Sequence, residues 1–315
     1  MMQKVKIFLE FVELRTKVAS FFPMIIGFLW TIYYTGTLNL LNTCLFFCAV
    51  ITFDMCTTAI NNTMDYHKAI DLNYKTQENI IGVHQLSFPK MVRIVFILLA
   101  ISLCFSLLLV FRTDALLLGM GAICFIIGIT YTFGPMPLSR LPLGEVFSGF
   151  TMGFGIFFLA NYMTSYDQLL TSAWSLENVV VSFNWLETLR LFGLSLPLVS
   201  LIANIMLANN TCDLKTDIQN QRYTLVYYIG VKNALLLYQT LSIVPWIAWT
   251  IYLLTGTLPL WAALGFLLMY PHWKSVQRFC QKQEKRETFI ESVKSFVWFS
   301  SLYAGVLVVA ILTSK

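Results

Sequence analysis

The chain has 315 residues, of which 57% are hydrophobic and only 12% charged, with a formal net charge of +5 and a mean hydropathy of +0.71. Length alone suggests about two soluble domains, but this composition excludes a soluble globular protein, and its runs of about 20 apolar residues have the length that crosses a bilayer. Backbone in lipid must satisfy its own hydrogen bonds, so the expected fold is all-α, a polytopic membrane helix bundle.

Nine spans are predicted, at 18–34, 38–60, 91–111, 115–133, 143–163, 189–207, 234–254, 258–270 and 293–312. No polar linker or low-complexity stretch divides them, so residues 1–315 are expected to form one domain. The basic start and first apolar run have the outline of a signal peptide. No small-residue cleavage site follows, and WTIYYTG is bulky, so a retained first helix is expected. The second span runs into NNTMDYHKAID (61–71) and the sixth into NNTCDLKTD (209–217). The glycines of 119–134 lie largely in a span, where small residues serve helix packing, and no P-loop or Rossmann spacing is present. The eighth span is the shortest and is expected to end at Pro271. The basic, partly amphipathic loop after it reads as a solvated face on anionic head groups, with a partner-docking helix as the alternative.

All Lys and Arg except Arg112, Arg190 and Lys315 fall on one side of this arrangement. The positive-inside rule therefore predicts a cell-membrane protein with a cytoplasmic N-terminus and an extracellular C-terminus. The surplus charge belongs to topology and gives no reason to expect nucleic acid. The 7 cysteines show no CxxC, and the 3 histidines are scattered, so neither a disulfide framework nor a zinc site is indicated.

Both polar strings follow even-numbered spans and open on one side, as in a parallel duplication; the inverted repeats of many transporters would oppose them. Asn209, Asp213 and Asp217 recur at helical spacing on one face, as do Asn61 and Asp65. Asp71 is off that face, so the first helix must end or distort before it. Asp54 lies on the Asn61 stripe about two turns deeper, where an ionisable residue is either functional or a hydrogen-bonded acid buried between helices. Two sets of hard oxygen donors suit Mg²⁺, which binds through carboxylates and substrate phosphates. Lys68, Lys215, Arg222 and Lys232 stand among or near them and complement phosphate oxygens. Metal-holding carboxylates, basic groups and an apolar bundle together suggest a lipid diphosphate. The bland alternative is that Asn and Asp cap helices at the water interface while Lys and Arg obey the topology rule.

With these strings the chain resembles the UbiA superfamily of intramembrane aromatic prenyltransferases, over nearly its whole length. The first string is similar to that family's N-x3-D-x5-D motif at Asn61, Asp65 and Asp71. The second is similar to its partner motif, with Asp213 and Asp217 as metal carboxylates and R-x-T-L at 222–225. The segment YTFGPMPLSRLPLGE (131–145) resembles the Y-T-x-G-P-x-P stretch of the branch that prenylates 1,4-dihydroxy-2-naphthoate. ELRTKVASFFP resembles the basic start of the first helix, which implies Arg15 and Lys17 near the site. The chain departs from the family at Asn62, usually Asp. It departs also at Asp54, more often a neutral amide in this branch, and at Arg140 and Pro142, which replace an aromatic and a glycine.

The resemblance implies nine helices and a Mg²⁺-dependent polyprenyltransferase of menaquinone biosynthesis, giving demethylmenaquinone. Asp65, Asp213 and Asp217, with Asn61 and Asp71, would hold metal. Arg15, Lys17, Asn61, Lys68, Tyr131, Arg140, Asn209, Lys215, Arg222 and Lys232 would bind substrate, and Asp54 would orient an acceptor hydroxyl. The implied partners are polyprenyl diphosphate, 1,4-dihydroxy-2-naphthoate and the lipid bilayer. The alternatives are another aromatic acceptor such as 4-hydroxybenzoate, or a membrane protein that binds or transports a lipid diphosphate without catalysis.

Overall fold

A computed structural model describes residues 2–134 and 137–313, the side chains of Met2 and Arg15 excepted. The chain begins with α1 (Met2–Phe11), a 3₁₀ turn (Leu14–Lys17), α2 (Val18–Thr35) and α3 (Leu40–Lys68). After a π turn (Tyr74–Glu78) come α4 (Ile80–Val83), α5 (Phe88–Arg112) and α6 (Leu116–Thr130). Next, α7 (Gly144–Ser148) continues through a π segment (Gly149–Gly155) into α8 (Ile156–Leu169), followed by strands β1 (Leu170–Trp174) and β2 (Val179–Phe183). The second half holds α9 (Trp185–Cys212), α10 (Leu214–Gln219), α11 (Leu225–Leu254), a 3₁₀ stretch (Leu260–Leu268), α12 (Met269–Gln281) and α13 (Phe289–Thr313).

Among the described residues, seven helical segments are long and apolar enough to cross a membrane, and they coincide with the first, second, third, fifth, sixth, seventh and ninth predicted spans. The fourth is α6, apolar but only 15 residues long. The eighth differs from expectation. Its apolar part is the 3₁₀ stretch, which runs on into α12, and Pro271 sits near the start of α12 instead of closing a helix. The first N–H groups of a helix have no intrahelical partner, so a proline there removes no bond.

Among the described residues the all-α expectation holds apart from one antiparallel hairpin, β1–β2, with Leu170 opposite Phe183 and Trp174 opposite Val179. The β-branched run Val179–Val181 favours an extended backbone. Asp114, between α5 and α6, anchors the hairpin by accepting the Ser172 N–H at 2.8 Å and its hydroxyl at 2.6 Å.

The two helices that end in the polar strings are built alike. Asn39 caps α3 by accepting the Asn42 N–H, and Asn184 caps α9 by accepting the Glu187 N–H. At about 1.5 Å per residue, both are about 40 Å long, enough to carry their polar ends beyond the hydrocarbon core. Main packing runs α3 on α5, α9 on α11, and α2 against α8 and α13. Close approach between helices needs glycine, as two examples show. A Cβ on Gly27 of α2 would stand 2.7 Å from Ala160 Cβ, and one on Gly153 only 2.6 Å from the Val199 backbone of α9.

The largest core packs Trp30, Phe157, Trp249, Phe299 and Tyr303. Two smaller ones lie near the polar ends. Phe11, Cys56, Ile60 and Ile81 pack around the end of α3, and Leu207, Ala208, Tyr238 and Phe279 around the end of α9. Each polar string thus stands on its own apolar footing.

Candidate functional site

α3 ends at Lys68 because Ala69 is extended, so the first string leaves its helix before Asp71, as expected. Asp71 Oδ1 accepts the Asn73 N–H at 2.9 Å and shapes the following turn. In the second string α9 breaks at Asp213, yet helical spacing persists: Asp213 N–H donates to the Asn209 carbonyl (3.0 Å) and Asp217 N–H to the Asp213 carbonyl (2.8 Å). The common face of Asn209, Asp213 and Asp217 therefore survives the break.

Arg222 joins the two strings. Its Nε lies 3.4 Å from Asp217 Oδ1 and its Nη1 4.0 Å from Asp65 Oδ2. Its backbone N–H also donates to the Asp217 carbonyl at 2.8 Å. Burial opposes the guanidinium charge, but Asp217 and Asp65 outweigh it and hold Arg222 above its usual range. Burial pushes the Asp217 carboxyl up to about 6; Arg222 opposes this and Asp213 adds to it. Among the described residues Asp217 Oδ2 is buried without a hydrogen-bond partner. Tyr74, from the π turn, is raised to about 12, first by burial and then by the Asp65 charge.

Lys285, in the loop between α12 and α13, donates to Asp213 Oδ2 at 2.5 Å and to Asn209 Oδ1. Hence the second string carries two protein cations, one at each end.

The 131–140 segment spans both strings. Thr132 donates its hydroxyl to Asn61 Oδ1 at 3.1 Å, and Lys68 Nζ reaches the Gly134 carbonyl at 3.5 Å. At the other end Arg140 donates to the Asn220 carbonyl at 3.3 Å. Pro135 and Met136, part of the predicted motif, lie outside the described residues. Tyr131 OH contacts Met206 Sδ at 3.4 Å, and a Cβ on Gly144 would stand 3.3 Å from that hydroxyl. Beside it Glu145, 4% exposed, accepts from Asn210 Nδ2 at 2.8 Å through Oε1, while its Oε2 has no partner among the described residues.

Asp54 of α3 and Lys17, at the end of the 3₁₀ turn that leads into α2, form a separate buried pair. Lys17 Nζ donates to Asp54 Oδ1 (2.7 Å), to the Asp54 carbonyl (3.1 Å) and to Thr58 Oγ1 (2.5 Å), and Ser20 Oγ donates to Asp54 Oδ2. Both carboxylate oxygens of Asp54 are thus engaged by protein. Lys215 and Lys232 are exposed and make no hydrogen bond or ion pair among the described residues. The side chain of Arg15 lies outside those described.

Asp65, Asp213, Asp217, Asn209 and Arg222 are therefore gathered, with Asn61, Lys68, Tyr131 and Arg140 along the connecting segment. Asp71, Lys17 and Asp54 face other partners. Among the described residues no three His, Cys, Asp or Glu side chains converge as a ready metal-binding group. The donors nonetheless fit a hard divalent cation: all are oxygens, one buried carboxylate oxygen is unpartnered, and Arg222 and Lys285 already supply positive charge to the carboxylates.

Sequence reasoning missed Lys285, Glu145 and Asn210. Glu145 and Asn210 stood inside quoted strings without a role. No local signal marked Lys285 among the other basic residues of its loop.

Among known proteins, the chain is 25% identical over 306 residues to the 1,4-dihydroxy-2-naphthoate octaprenyltransferase of Bacillus subtilis (strain 168), covering 95% of this chain and 90% of that protein. It is 24% identical over 195 residues to UbiA prenyltransferase domain-containing protein 1 of Dictyostelium discoideum, covering 60% and 53%. Its fold is similar to that of a UbiA homolog from Archaeoglobus fulgidus bound to GPP and Mg²⁺ (TM-score 0.67, 14% identity, 97% and 99% covered). It is similar also to the apo structure of a UbiA homolog from Aeropyrum pernix K1 (TM-score 0.66, 17% identity, 94% and 97% covered). The pattern of the UbiA prenyltransferase family matches residues 20–311, and on that match, borne by nearly the whole bundle and both of its polar strings, the chain belongs to that family.

Proposed function

We propose that this prenyltransferase moves a polyprenyl group from polyprenyl diphosphate to 1,4-dihydroxy-2-naphthoate, releasing CO₂ and diphosphate. The observation that carries the reading is Arg222, whose guanidinium lies between Asp65 of one string and Asp217 of the other. It makes one anion-binding and cation-binding centre out of two distant segments. The naphthoate acceptor is supported by the Bacillus subtilis relative, whose name states that substrate, and by the 131–145 string.

Mg²⁺ would be held by Asp65, Asp213 and Asp217 with the amide oxygens of Asn61 and Asn209, and the chemistry it supplies is neutralisation of charge on the departing diphosphate. Arg222 and Lys285 provide fixed and mobile donors for the phosphate oxygens, and Lys68 and Lys215 add positive charge around them. The prenyl carbon–oxygen bond breaks with its electron pair leaving on diphosphate. The ring carbon bearing the carboxylate forms the new carbon–carbon bond, and loss of CO₂ returns electrons to the ring.

A row of aromatic rings begins just past Glu145 and runs Phe150, Phe154, Phe158, Tyr162 and Tyr166, with neighbouring centroids 5.1 to 6.2 Å apart. Such faces exclude water and stabilise an allylic cation. Glu145 and Tyr131 are the polar groups placed to orient an acceptor, and the Lys17–Asp54 pair holds α2 against α3. The bundle sits in the cell membrane with nine crossings and this centre at the cytoplasmic face.

The test is direct. Purified protein is incubated with Mg²⁺, a long-chain prenyl diphosphate and either 1,4-dihydroxy-2-naphthoate or 4-hydroxybenzoate, and the lipid products are identified by mass. A decarboxylated, prenylated naphthalenediol or its quinone is expected. Prenylation of 4-hydroxybenzoate alone overturns the acceptor, and binding of the diphosphate with no transfer to either acceptor overturns the enzymatic reading.

A further inference from the structure

Two cations sit on the carboxylates of the centre, and they are held differently. Arg222 is largely buried, is fixed through its own backbone, and bridges two elements. Lys285 arrives from a surface loop with its side chain 45% exposed, and the Asp213 side chain it holds is 30% exposed.

The loop itself is stapled. Thr288 Oγ1 accepts the Glu284 N–H (2.9 Å) and donates to the Lys282 carbonyl (2.7 Å), and Gln283 Nε2 donates to the carbonyls of Phe279 and Cys280 (2.7 and 2.8 Å). Lys282 is engaged within the loop by Glu287 at 2.6 Å and Glu284 at 3.0 Å. Lys285 makes no ion pair with either of these loop acids; its partners are Asn209 and Asp213. Its ammonium also lies 5.0 Å from the Phe289 ring, a second resting place for the charge.

The oxygens that Lys285 holds, Asn209 Oδ1 and Asp213 Oδ2, are ones that a divalent cation at this string needs. An ammonium and a metal ion cannot share them. We propose that Lys285 is an exchange cation: it holds Asn209 and Asp213 while the centre is empty, yields those oxygens to the metal, and turns its donors onto the incoming diphosphate. This rests on the reading above that the centre takes a prenyl diphosphate. A flexible four-carbon stem with three rotatable donors suits such a transfer, whereas a rigid guanidinium suits the fixed role of Arg222. The stapled loop keeps the displaced ammonium within reach, so its charge stays beside the phosphates.

The proposal predicts opposite effects of one substitution. Lys285→Gln removes a competitor of the metal and a donor to the diphosphate together. Mn²⁺ binding to detergent-solubilised protein is measured by the EPR signal of free Mn²⁺ without diphosphate. Binding of a non-reacting prenyl thiolodiphosphate is then measured by calorimetry at saturating Mn²⁺. Lys285→Gln should bind Mn²⁺ several-fold more tightly and the thiolodiphosphate about tenfold to a hundredfold more weakly, the size expected for one charge-assisted contact. Lys285→Arg should keep most of the thiolodiphosphate affinity, and Lys282→Gln should move neither quantity.

Unchanged or weaker Mn²⁺ binding by Lys285→Gln overturns the exchange, as does thiolodiphosphate affinity within about twofold of wild type. Tighter Mn²⁺ binding by the variant itself reports a folded centre. A wild-type chain that binds no thiolodiphosphate removes the functional reading along with the proposal. Wild-type binding that Lys285→Gln leaves intact removes only the proposal.

Discussion

The strings Asn61–Asp65 and Asn209–Asp213 differ at only one position, and the fold uses each shared position in a parallel way with different partners. The two threonines are buried and make the same bond: Thr63 donates to the Ala59 carbonyl and Thr211 to the Leu207 carbonyl, each at 2.6 Å. The leading amide oxygens both accept, Asn61 from neutral Thr132 and Asn209 from the Lys285 ammonium. The second amides both donate. Asn62 reaches the Phe11 carbonyl of α1 at 2.9 Å, and Asn210 reaches the buried Glu145 carboxylate at 2.8 Å. The aspartates both face cations, Arg222 at 4.0 Å from Asp65 and Lys285 at 2.5 Å from Asp213. The helix end is thus a repeated device, and the surroundings decide its electrostatics. Both copies share Arg222 through an aspartate, Asp65 in the first and Asp217 just past the second. The second copy has Lys285 on its leading amide and aspartate as well, whereas the amides of the first are held by Thr132 and the α1 end.

This contrast also accounts for Asn62, where the family usually carries Asp. Its amide ties the end of α3 to α1 and accepts Asn79 Nδ2 on its own carbonyl at 3.0 Å, which turns the residue toward structure.

The largest expected effect separates the aspartates. Asp213→Asn and Asp65→Asn should each lower the rate of prenyl transfer by at least about a hundredfold, as loss of charge stabilisation at a leaving group does. Asp71→Asn should lower it by less than about tenfold, because an amide oxygen can still accept the Asn73 N–H. Equal losses in steady-state assays would dissolve the distinction between the clustered aspartates and the turn.

Next come the pairs that hold the helices. Asp54→Asn leaves the Lys17 ammonium buried without its counter-charge, a change of about 3–5 kcal/mol. Thermal unfolding in detergent should fall sharply, and a Lys17→Met, Asp54→Leu double variant should recover most of the loss. If the single variant unfolds like wild type, the pair is not structural.

Restoring the family residue should harm this chain. Asn62→Asp cannot donate to the Phe11 carbonyl and sets a carboxylate beside Glu13, at a cost of about 1–3 kcal/mol. Its metal affinity should stay at the wild-type value. A gain in Mn²⁺ affinity would place residue 62 in the metal centre after all.

The smallest effect is a pH slope. Burial pushes the folded Asp217 carboxyl up to about 6 from an ordinary 3.8. Between those values the folded chain binds more protons than the unfolded one, so stability of the metal-free protein falls as pH rises through this window and is level above it. Melting temperatures at pH 4.5 and 6.5 should differ more in wild type than in Asp217→Asn, which cannot ionise. An identical difference in both would assign the slope to other groups.

Sequence and structure agree where a single residue type dominates the local physics. Seven long spans were readable because about 20 apolar residues in a row admit only a helix in lipid. The strings at 61–71 and 209–217 were readable because polar groups at such helix ends need a reason. The hairpin escaped notice because its short β-branched run lies between two long apolar helices, and the eighth span because a proline at a helix start resembles one at a helix end.

What the sequence by itself determined is thus the class of molecule, its helical order, the paired Asn–Asp strings and the family they signal. These depend on composition and spacing along one helix. What only the tertiary structure decided is who meets the strings. Lys285 is 76 residues from Asn209, and Glu145 is 65 residues from Asn210. Such contacts depend on how separate helices pack and where their connecting loops come to rest. That geometry gives one repeated string two settings: an amide tied to α1 beside an aspartate facing Arg222 at one helix end, and an amide and aspartate held by Lys285 at the other.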